Sequence, residues 1–235
     1  MGLFSKKFCD ICGEKIGLLG NRKLEDGNMC KDCARKLSPW FSDRRQSTVS
    51  EIRSQLKDRE ENKERVKNFC VTEDLPGNRE HVFLDRTQGW FSVAQELSLS
   101  ENPDVLDLTC ITSCYLDTRE MREEETYEDE AGQTKSYSPR RYRYFYDYYI
   151  KIAVSAPWFD EITFKLNTFS IESSDRDAMR RMEEMGNKIA EALMTKTYKR
   201  PEQTGASGVT CACCGWKRED ADHRPKFCPN CGHPL

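Results

Sequence analysis

Eight of the twelve cysteines lie in two clusters, one near each end of this 235-residue chain. In each cluster, two thiols separated by two residues are followed by a second pair with the same spacing. Four thiolates can close a tetrahedral shell around Zn²⁺ and leave no position for water or substrate. We therefore expect two structural zinc ions and no metal-based catalysis. The predicted ligands are Cys9, Cys12, Cys30 and Cys33 at the front and Cys211, Cys214, Cys228 and Cys231 at the back.

The remaining cysteines and histidines leave three alternatives open. Cys213 could replace Cys214, but Gly215 directly follows Cys214, and the turn after the second thiol of a knuckle favours glycine. His233 could replace a thiol, although four cysteines already complete that shell. A third metal site is the last alternative, but its spacing fits no zinc pattern and free buried cysteine is common. Its members would be Cys70, Cys110, Cys114 and His81.

Composition narrows the function classes. The formal net charge is −3 with cysteine counted as neutral, and two four-thiolate zinc sites would lower it to about −7. A nucleic-acid-binding protein usually carries a basic surface, so we do not expect nucleic acid as the partner. No apolar run is long enough to span a bilayer, and the first residues do not form an export signal. The sequence predicts a cytoplasmic protein without a membrane partner, whose cysteines bind metal and do not form disulfides.

Residues 1–36 should form the front zinc module. Cys9 to Gly13 has the pattern of a zinc knuckle, and residues 15–29 predict a short hairpin. No glycine follows Cys33, which indicates that the second thiol pair opens a helix, where the helix dipole favours thiolates. Knuckle, hairpin and helix together predict a treble clef. Residues 1–36 carry a small surplus of basic over acidic residues, which is expected to balance the negative charge of the metal site.

The segment KKFCDICGEKIGLLGNRKLEDGNMCKDCARKLSPWFSDRR resembles the N-terminal zinc-ribbon domain of a bacterial family of unknown function. The resemblance covers roughly the first 70 residues and includes all four front ligands. Such domains often precede regions with a pleckstrin-homology-like fold. The resemblance therefore implies zinc and a domain order, and it implies no activity.

Residues 37–76 should form a linker with a helix at about residues 47–69. Thr48 and Glu51 have the spacing of a capping box. The apolar stripe of this helix is short and interrupted by charge, so it does not favour a coiled-coil dimer. A monomer is the expectation.

Residues 77–200 should form an antiparallel β domain that ends in a helix. Alternating side chains predict a long strand over 142–154, paired with one at 162–166, and further strands at 81–84, 90–93 and 111–118. Residues 119–141 are interpreted as an exposed hairpin loop, and a helix is expected to begin after Ser174. Strands followed by a covering helix resemble a pleckstrin-homology-like barrel, and the segments YDYYIKI and PWFDEITFKLN resemble the middle region of the same bacterial family.

Two features of this domain have alternative interpretations. The tyrosines at even positions of the long strand should belong to the core, although such a stripe can also stack bases. Arg140, Arg141 and Arg143 could contact a lipid head group or a phosphate, but the acidic run just before them should neutralise them. Residues 201–208 are expected to be a flexible linker, and residues 209–235 a zinc ribbon.

The fold class expected is therefore α+β, with a mostly antiparallel central domain between two four-cysteine modules. A non-catalytic adaptor or scaffold that binds a protein or peptide is the leading hypothesis. A nucleic-acid-associated regulator that uses the ribbons is one alternative. An enzyme with a site in the central domain is the other, although three histidines and no recognisable catalytic set argue against it.

Overall fold

The computed structural model describes residues 7–195 together with seven residues near the end of the chain. Those seven are Cys211, Cys213, Gly215, Trp216, Phe227, Cys228 and Asn230. Over this part, the protein is a mixture of mostly antiparallel sheets and a few helices. None of the described helices combines the length and hydropathy needed to cross a bilayer.

The front module is small and built around metal-binding loops. Strand β1 (Arg22–Lys23) pairs antiparallel with β2 (Asn28–Met29), and helix α1 (Lys31–Ala34) follows directly. Leu24 and Met29 are fully buried between these elements. The core is too small to hold the module together by burial alone, because little apolar area is removed from water.

Helix α2 (Val49–Asn68) starts at the predicted capping box. The Thr48 side chain accepts a hydrogen bond from the Glu51 N–H, and Glu51 accepts one from the Thr48 N–H at 2.7 Å. The helix is more than a solvated linker. Ile52 packs into the front core and Val66 is buried at the other end. Helix α2 thus joins the front module to the sheets.

The first sheet is a meander of four antiparallel strands. They are β3 (Glu73–Pro76), β4 (His81–Asp85), β5 (Trp90–Ala94) and β6 (Val105–Asp107), paired in that order. The predicted strands at 81–84 and 90–93 are confirmed as β4 and β5. Gly89 allows the tight turn between them because it adopts a φ of 71°.

The second sheet is organised around one long strand. Strand β8 (Thr134–Val154) pairs with β7 (Ile111–Glu128) on one edge and with β9 (Glu161–Lys165) and β10 (Ile171–Glu172) on the other. Apolar side chains from both sheets meet in one core. Its fully buried members include Val82, Leu84, Phe91, Ile150, Ile152 and Ile189.

The closed barrel expected from the sequence is wrong. Strands β3 to β10 form two separate four-stranded sheets that pack through their apolar faces. A 3-10 turn over Leu108–Cys110 separates β6 from β7, and these two consecutive strands are not paired with each other. The alternation of apolar residues predicted the strands, but it did not determine which strand edges would pair.

The loop expected at residues 119–141 is also a correction, because most of it is paired strand. Cross-strand pairing of β7 with β8 continues from Arg119↔Asp147 to Glu125↔Arg141, and resumes after an irregularity to Glu128↔Thr134. Oppositely charged residues such as Glu123 and Arg143 face each other, which stabilises a ribbon that is solvated on both faces. We call residues 119–143 the arm.

The tyrosine stripe is divided between the core and the arm. Tyr148 is 1% exposed and lies in the core. Tyr146 is partly buried and packs against this core. Tyr144 is 36% exposed, and Tyr142 lies under the Arg122 guanidinium, 5.0 Å from the ring centroid. The core interpretation therefore holds only for the inner half of the stripe.

Helix α3 (Arg176–Met194) covers the second sheet. Its N-cap is Asp175, one residue after the expected Ser174, and the Asp175 carboxylate accepts the Ala178 N–H at 2.9 Å. Gly186, Ile189 and Leu193 are its buried residues. Helix α3 approaches β7 closely at Gly186, because a Cβ there would lie 2.5 Å from Cδ1 of Leu116 and would displace that side chain.

Replacing Gly186 by valine should destabilise the domain by about 1–3 kcal/mol, because the added atoms overpack the α3–β7 contact. Urea denaturation followed by circular dichroism measures this change. Asn187→Ala is the matched control, since residue 187 is exposed and alanine favours a helix. Equal stability of Gly186→Val and the wild type would show that α3 does not press on β7.

Candidate metal centre

The front knuckle is held by its own backbone. The Cys9 N–H donates to the Glu14 carbonyl and the Gly13 N–H donates to the Cys9 carbonyl, each at 2.8 Å. Gly13 has a φ of 80°, a conformation that costs little only for glycine. Phe8 and Lys15 form a β-bridge that closes the loop. These contacts place Cys9 and Cys12 on one side of the site.

The second thiol pair is placed by helix α1, as predicted. Cys30 is the N-cap of this helix, and its Sγ accepts the Cys33 N–H at 3.3 Å. The Cys30 N–H in turn donates to Cys9 Sγ at 3.2 Å, which links the two pairs. Three of the four cysteines are buried and Cys12 is exposed. The hairpin β1–β2 brings the pairs together from opposite ends.

The four sulfur atoms have the separation that zinc requires. All four Sγ atoms lie within 4.8 Å of one another. Cys9 and Cys33 Sγ are 3.9 Å apart, and Cys12 and Cys30 Sγ are 3.8 Å apart. A tetrahedral shell with Zn–S bonds of about 2.3 Å places its sulfurs about 3.8 Å apart. The front cluster therefore fits a four-thiolate zinc site.

Electrostatics around the thiols also fit a cation. Burial raises the pKa of Cys9, but the backbone N–H groups of Cys12, Cys30 and Ile11 outweigh it and lower the pKa to about 7. Burial, followed by the neighbouring thiols, raises the pKa of Cys33 far above its ordinary value. Four adjacent thiolates repel each other unless a positive ion lies between them. The site thus needs a divalent ion for all four ligands to ionise.

At the back of the chain, two of the four predicted ligands are described and both are buried. Cys211 is 1% exposed and Cys228 is 2% exposed. The other two, Cys214 and Cys231, lie outside the described residues, as do His233 and the predicted linker at 201–208. The described residues therefore include only two of the four predicted thiolate ligands of the back module.

The backbone around Cys211 repeats the front knuckle. The Cys211 N–H donates to the Trp216 carbonyl at 2.8 Å, and the Gly215 N–H donates to the Cys211 carbonyl at 2.9 Å. These bonds span the same number of residues as the bonds around Cys9. Gly215 has a φ of 70°, close to that of Gly13. The backbone around Cys211 thus adopts the same knuckle geometry as the backbone around Cys9.

Cys70 and Cys213 form a disulfide, which corrects the expectation that the cysteines bind metal and do not form disulfides. The bond joins positions 143 residues apart and ties the back knuckle to the start of the first sheet. Cys70 is buried, and its N–H donates to the Asp85 carboxylate at 2.8 Å. The pairing argues against Cys213 as a metal ligand, because its sulfur is already bonded.

Digestion of the unreduced, alkylated protein should recover Cys70 and Cys213 in one linked peptide. Cys110 and Cys114 should be recovered separately and serve as internal controls. Cys213→Ser should leave the zinc content unchanged, because Cys213 does not bind metal. Recovery of alkylated Cys213 from unreduced protein, or loss of zinc in the variant, would contradict this assignment.

The third metal site considered for the middle of the chain is not assembled. Cys70 is bonded to Cys213, and His81 Nδ1 lies 2.7 Å from Asp74 Oδ1. Burial raises the pKa of Cys110 to about 11 and that of Cys114 to about 12. The front cluster is the group of metal-ligating side chains found within the described residues.

A buried polar junction positions the front module against the sheets, and sequence reasoning missed it. Arg59 on α2 is 7% exposed. Its Nε donates to the Lys36 carbonyl at 3.2 Å, and its Nη1 donates to Asp104 Oδ1 at 2.6 Å. Its Nη2 also donates to the Asn102 carbonyl. The Ser38 hydroxyl donates to Asp104 Oδ2 at 2.7 Å, so one buried ion pair connects three parts of the chain.

Comparison with known proteins gives one result for this region. Residues 7–55 match a protein-family model described as "Domain of unknown function (DUF4428)". The match contains all four front ligands and the start of α2. Neither the curated proteins nor the solved structures gave a match to the chain. The front of this chain is therefore similar to a domain that carries no assigned activity.

Proposed function

We propose that the protein is a non-catalytic zinc-binding adaptor, and that the arm binds a protein or peptide partner. The observation that carries this proposal is the position of β7. This 18-residue strand is the edge of its sheet, because β8 pairs with it on one side only. An edge strand presents unpaired backbone N–H and C=O groups, and an extended peptide can add to them as a further strand.

Side chains on β7 suit such a partner. Tyr115, Met121 and Tyr127 are 49%, 41% and 42% exposed. Aromatic and methionine side chains are enriched where proteins meet, because they bury a large area on binding. They are spread along the edge, and the charged residues 122–125 lie between Met121 and Tyr127, which keeps the free arm soluble.

The arm is also held in one conformation. Arg119 lies 4.4 Å from the ring centroid of Tyr149, and Arg141 lies 4.6 Å from that of Tyr137. The rings of Tyr127 and Tyr137 have centroids 5.0 Å apart. Cation–π contacts and ring pairs restrict the side chains before binding, so less conformational entropy is lost when a partner adds.

Site-specific photocrosslinking in cells of the native host tests this proposal. A photoreactive residue at Met121 should capture one protein partner, and the same residue at Lys57 on α2 should not. Tyr115→Ala should reduce that crosslink, because the side chain lies on the same strand. Equal capture at both positions, or no capture at Met121, would contradict the adaptor.

We infer that the back module binds a second zinc ion through Cys211, Cys214, Cys228 and Cys231. The repeated knuckle around Cys211 supports this inference, together with the burial of Cys228. Both modules would then carry closed thiolate shells, which leave no position for a substrate. The zinc ions would stabilise the fold, and no catalytic role is proposed for either.

Four finer assignments belong to this proposal. The knuckle, the hairpin β1–β2 and the placement of Cys30 and Cys33 at α1 support a treble clef. Two antiparallel sheets followed by α3 support a pleckstrin-homology-like arrangement without a closed barrel. A bacterial origin is supported by the sequence resemblance of the front segment. A cytoplasmic location is supported by the thiolate site, because thiols stay reduced there, and the disulfide argues in the other direction.

A further inference from the structure

Four cationic side chains line one cleft of the front module. Arg22 and Lys23 come from strand β1, and Arg44 and Arg45 come from a 3-10 turn that contacts this strand. The cleft has a volume of about 780 Å³ and is completed by Asn21, Leu24 and Glu25. Clefts of about 300–1,000 Å³ are typical of sites for small molecules.

Backbone carbonyls, and not carboxylates, orient the arginines. Arg44 Nη1 donates to the Lys23 carbonyl at 2.7 Å. Arg22 Nη1 donates to the carbonyls of Leu19 and Asn21, each at 3.3 Å. A guanidinium has five N–H donors, so most donors of both arginines stay available. The two guanidinium groups are therefore held in place while most of their N–H donors remain available to a ligand.

Within the described part of the chain, none of the four cations forms an ion pair. Half of the other described arginines do; for example, Arg59 pairs with Asp104, Arg86 with Glu73 and Arg35 with Asp32. Glu25 is the carboxylate that lines the cleft, and it lies within 4.0 Å of none of the four cationic groups. The acids beside the cleft have other partners, since Asp26 accepts the Val49 N–H and Asp43 accepts the Ser42 hydroxyl.

The Arg44 guanidinium is partly buried and lies near two other cations. Burial, followed by the charges of Arg22 and Arg45, lowers the pKa of the Arg44 guanidinium. Like charges held close together raise the free energy of the empty site, and an anion between them lowers it. Guanidinium forks match the oxygen geometry of phosphate better than that of a spherical anion.

We propose that this cleft binds a phosphate-bearing small molecule, of a size between pyrophosphate and a nucleotide. The inference goes beyond the proposed adaptor function, because the cleft lies on the front module and the arm lies on the second sheet. Binding would place the ligand against β1 and the turn at Arg44–Gln46, both of which border the core of the zinc module. The ligand would therefore stabilise the module it binds.

Isothermal titration calorimetry on the full-length zinc-loaded protein tests the proposal with pyrophosphate as the probe. Wild type should bind pyrophosphate at physiological salt. Arg44→Gln and Arg45→Gln should each weaken binding about tenfold, since each removes a charged hydrogen-bond donor from the phosphate. Arg45→Gln keeps the test informative if Arg44→Gln disturbs the fold, because Arg45 donates no side-chain hydrogen bond to another described residue.

Arg35→Gln is the matched control, since Arg35 carries the same charge on the same module and lies outside the cleft. It should bind pyrophosphate like the wild type. Titrations with orthophosphate, ATP and a single-stranded oligonucleotide distinguish the source of the phosphate. The proposal is overturned by no saturable pyrophosphate binding, by equal losses in all three variants, or by binding of the oligonucleotide alone with a steep salt dependence.

Discussion

Replacing Cys33 by serine should unfold the front module and leave the two sheets folded. Cys33 is 5% exposed, and its sulfur completes a shell of four thiolates. Structural zinc contributes roughly 10–16 kcal/mol to the folding of comparably small modules, which exceeds their whole stability. Hydrogen exchange read by mass spectrometry should show lost protection in residues 7–37 and unchanged protection in β4 and β8.

Cys110→Ser is the matched control for this variant. It removes a thiol that lies outside the cluster and packs against the edge of the main core. Protection in the front module should not change. If Cys33→Ser keeps both its zinc and its protection, the front cluster is not the metal site.

Replacing Arg59 by alanine should destabilise the protein by about 3–5 kcal/mol, because it leaves the Asp104 carboxylate buried without its partner. Burial raises the pKa of Asp104, and the charge of Arg59 opposes that rise. The substitution also removes donors from the carbonyls of Lys36 and Asn102. The front module should separate from the sheets, because these bonds connect the two.

Urea denaturation of the full chain measures this effect, and Arg65→Ala is the control. Arg65 lies on the same helix and bonds to the Val105 carbonyl, but its side chain is 46% exposed. Its loss should cost about 0–1 kcal/mol. A double-mutant cycle with Asp104→Ala should give a coupling energy of about 0.5–3 kcal/mol. Additive effects of Arg59→Ala and Asp104→Ala would mean that the pair does not act as a unit.

Local sequence signals predicted the elements that depend on neighbouring residues. The capping box at Thr48 and Glu51 spans one helical turn, so its residue types suffice to identify it. The thiol pairs are equally local: two residues between sulfurs and a following glycine determine the knuckle at Cys9. Strands β4 and β5 also followed from alternation and the turn at Gly89.

Contacts between residues far apart in the sequence could not be predicted from such local patterns. Arg59 and Asp104 lie 45 residues apart and carry charges that look like ordinary surface charges in the sequence. The disulfide joins Cys70 to Cys213 across 143 residues, and no spacing pattern predicts it. The arm was interpreted as a loop because both faces are solvated, so the apolar alternation that marks a half-buried strand is missing.

Native mass spectrometry of the intact chain tests directly whether two closed thiolate shells build the ends of this protein. Wild type should carry two zinc ions, Cys33→Ser and Cys228→Ser should each carry one, and the double variant should carry none. Fewer than two ions on the folded wild type, or an unchanged count in either single variant, would contradict the claim.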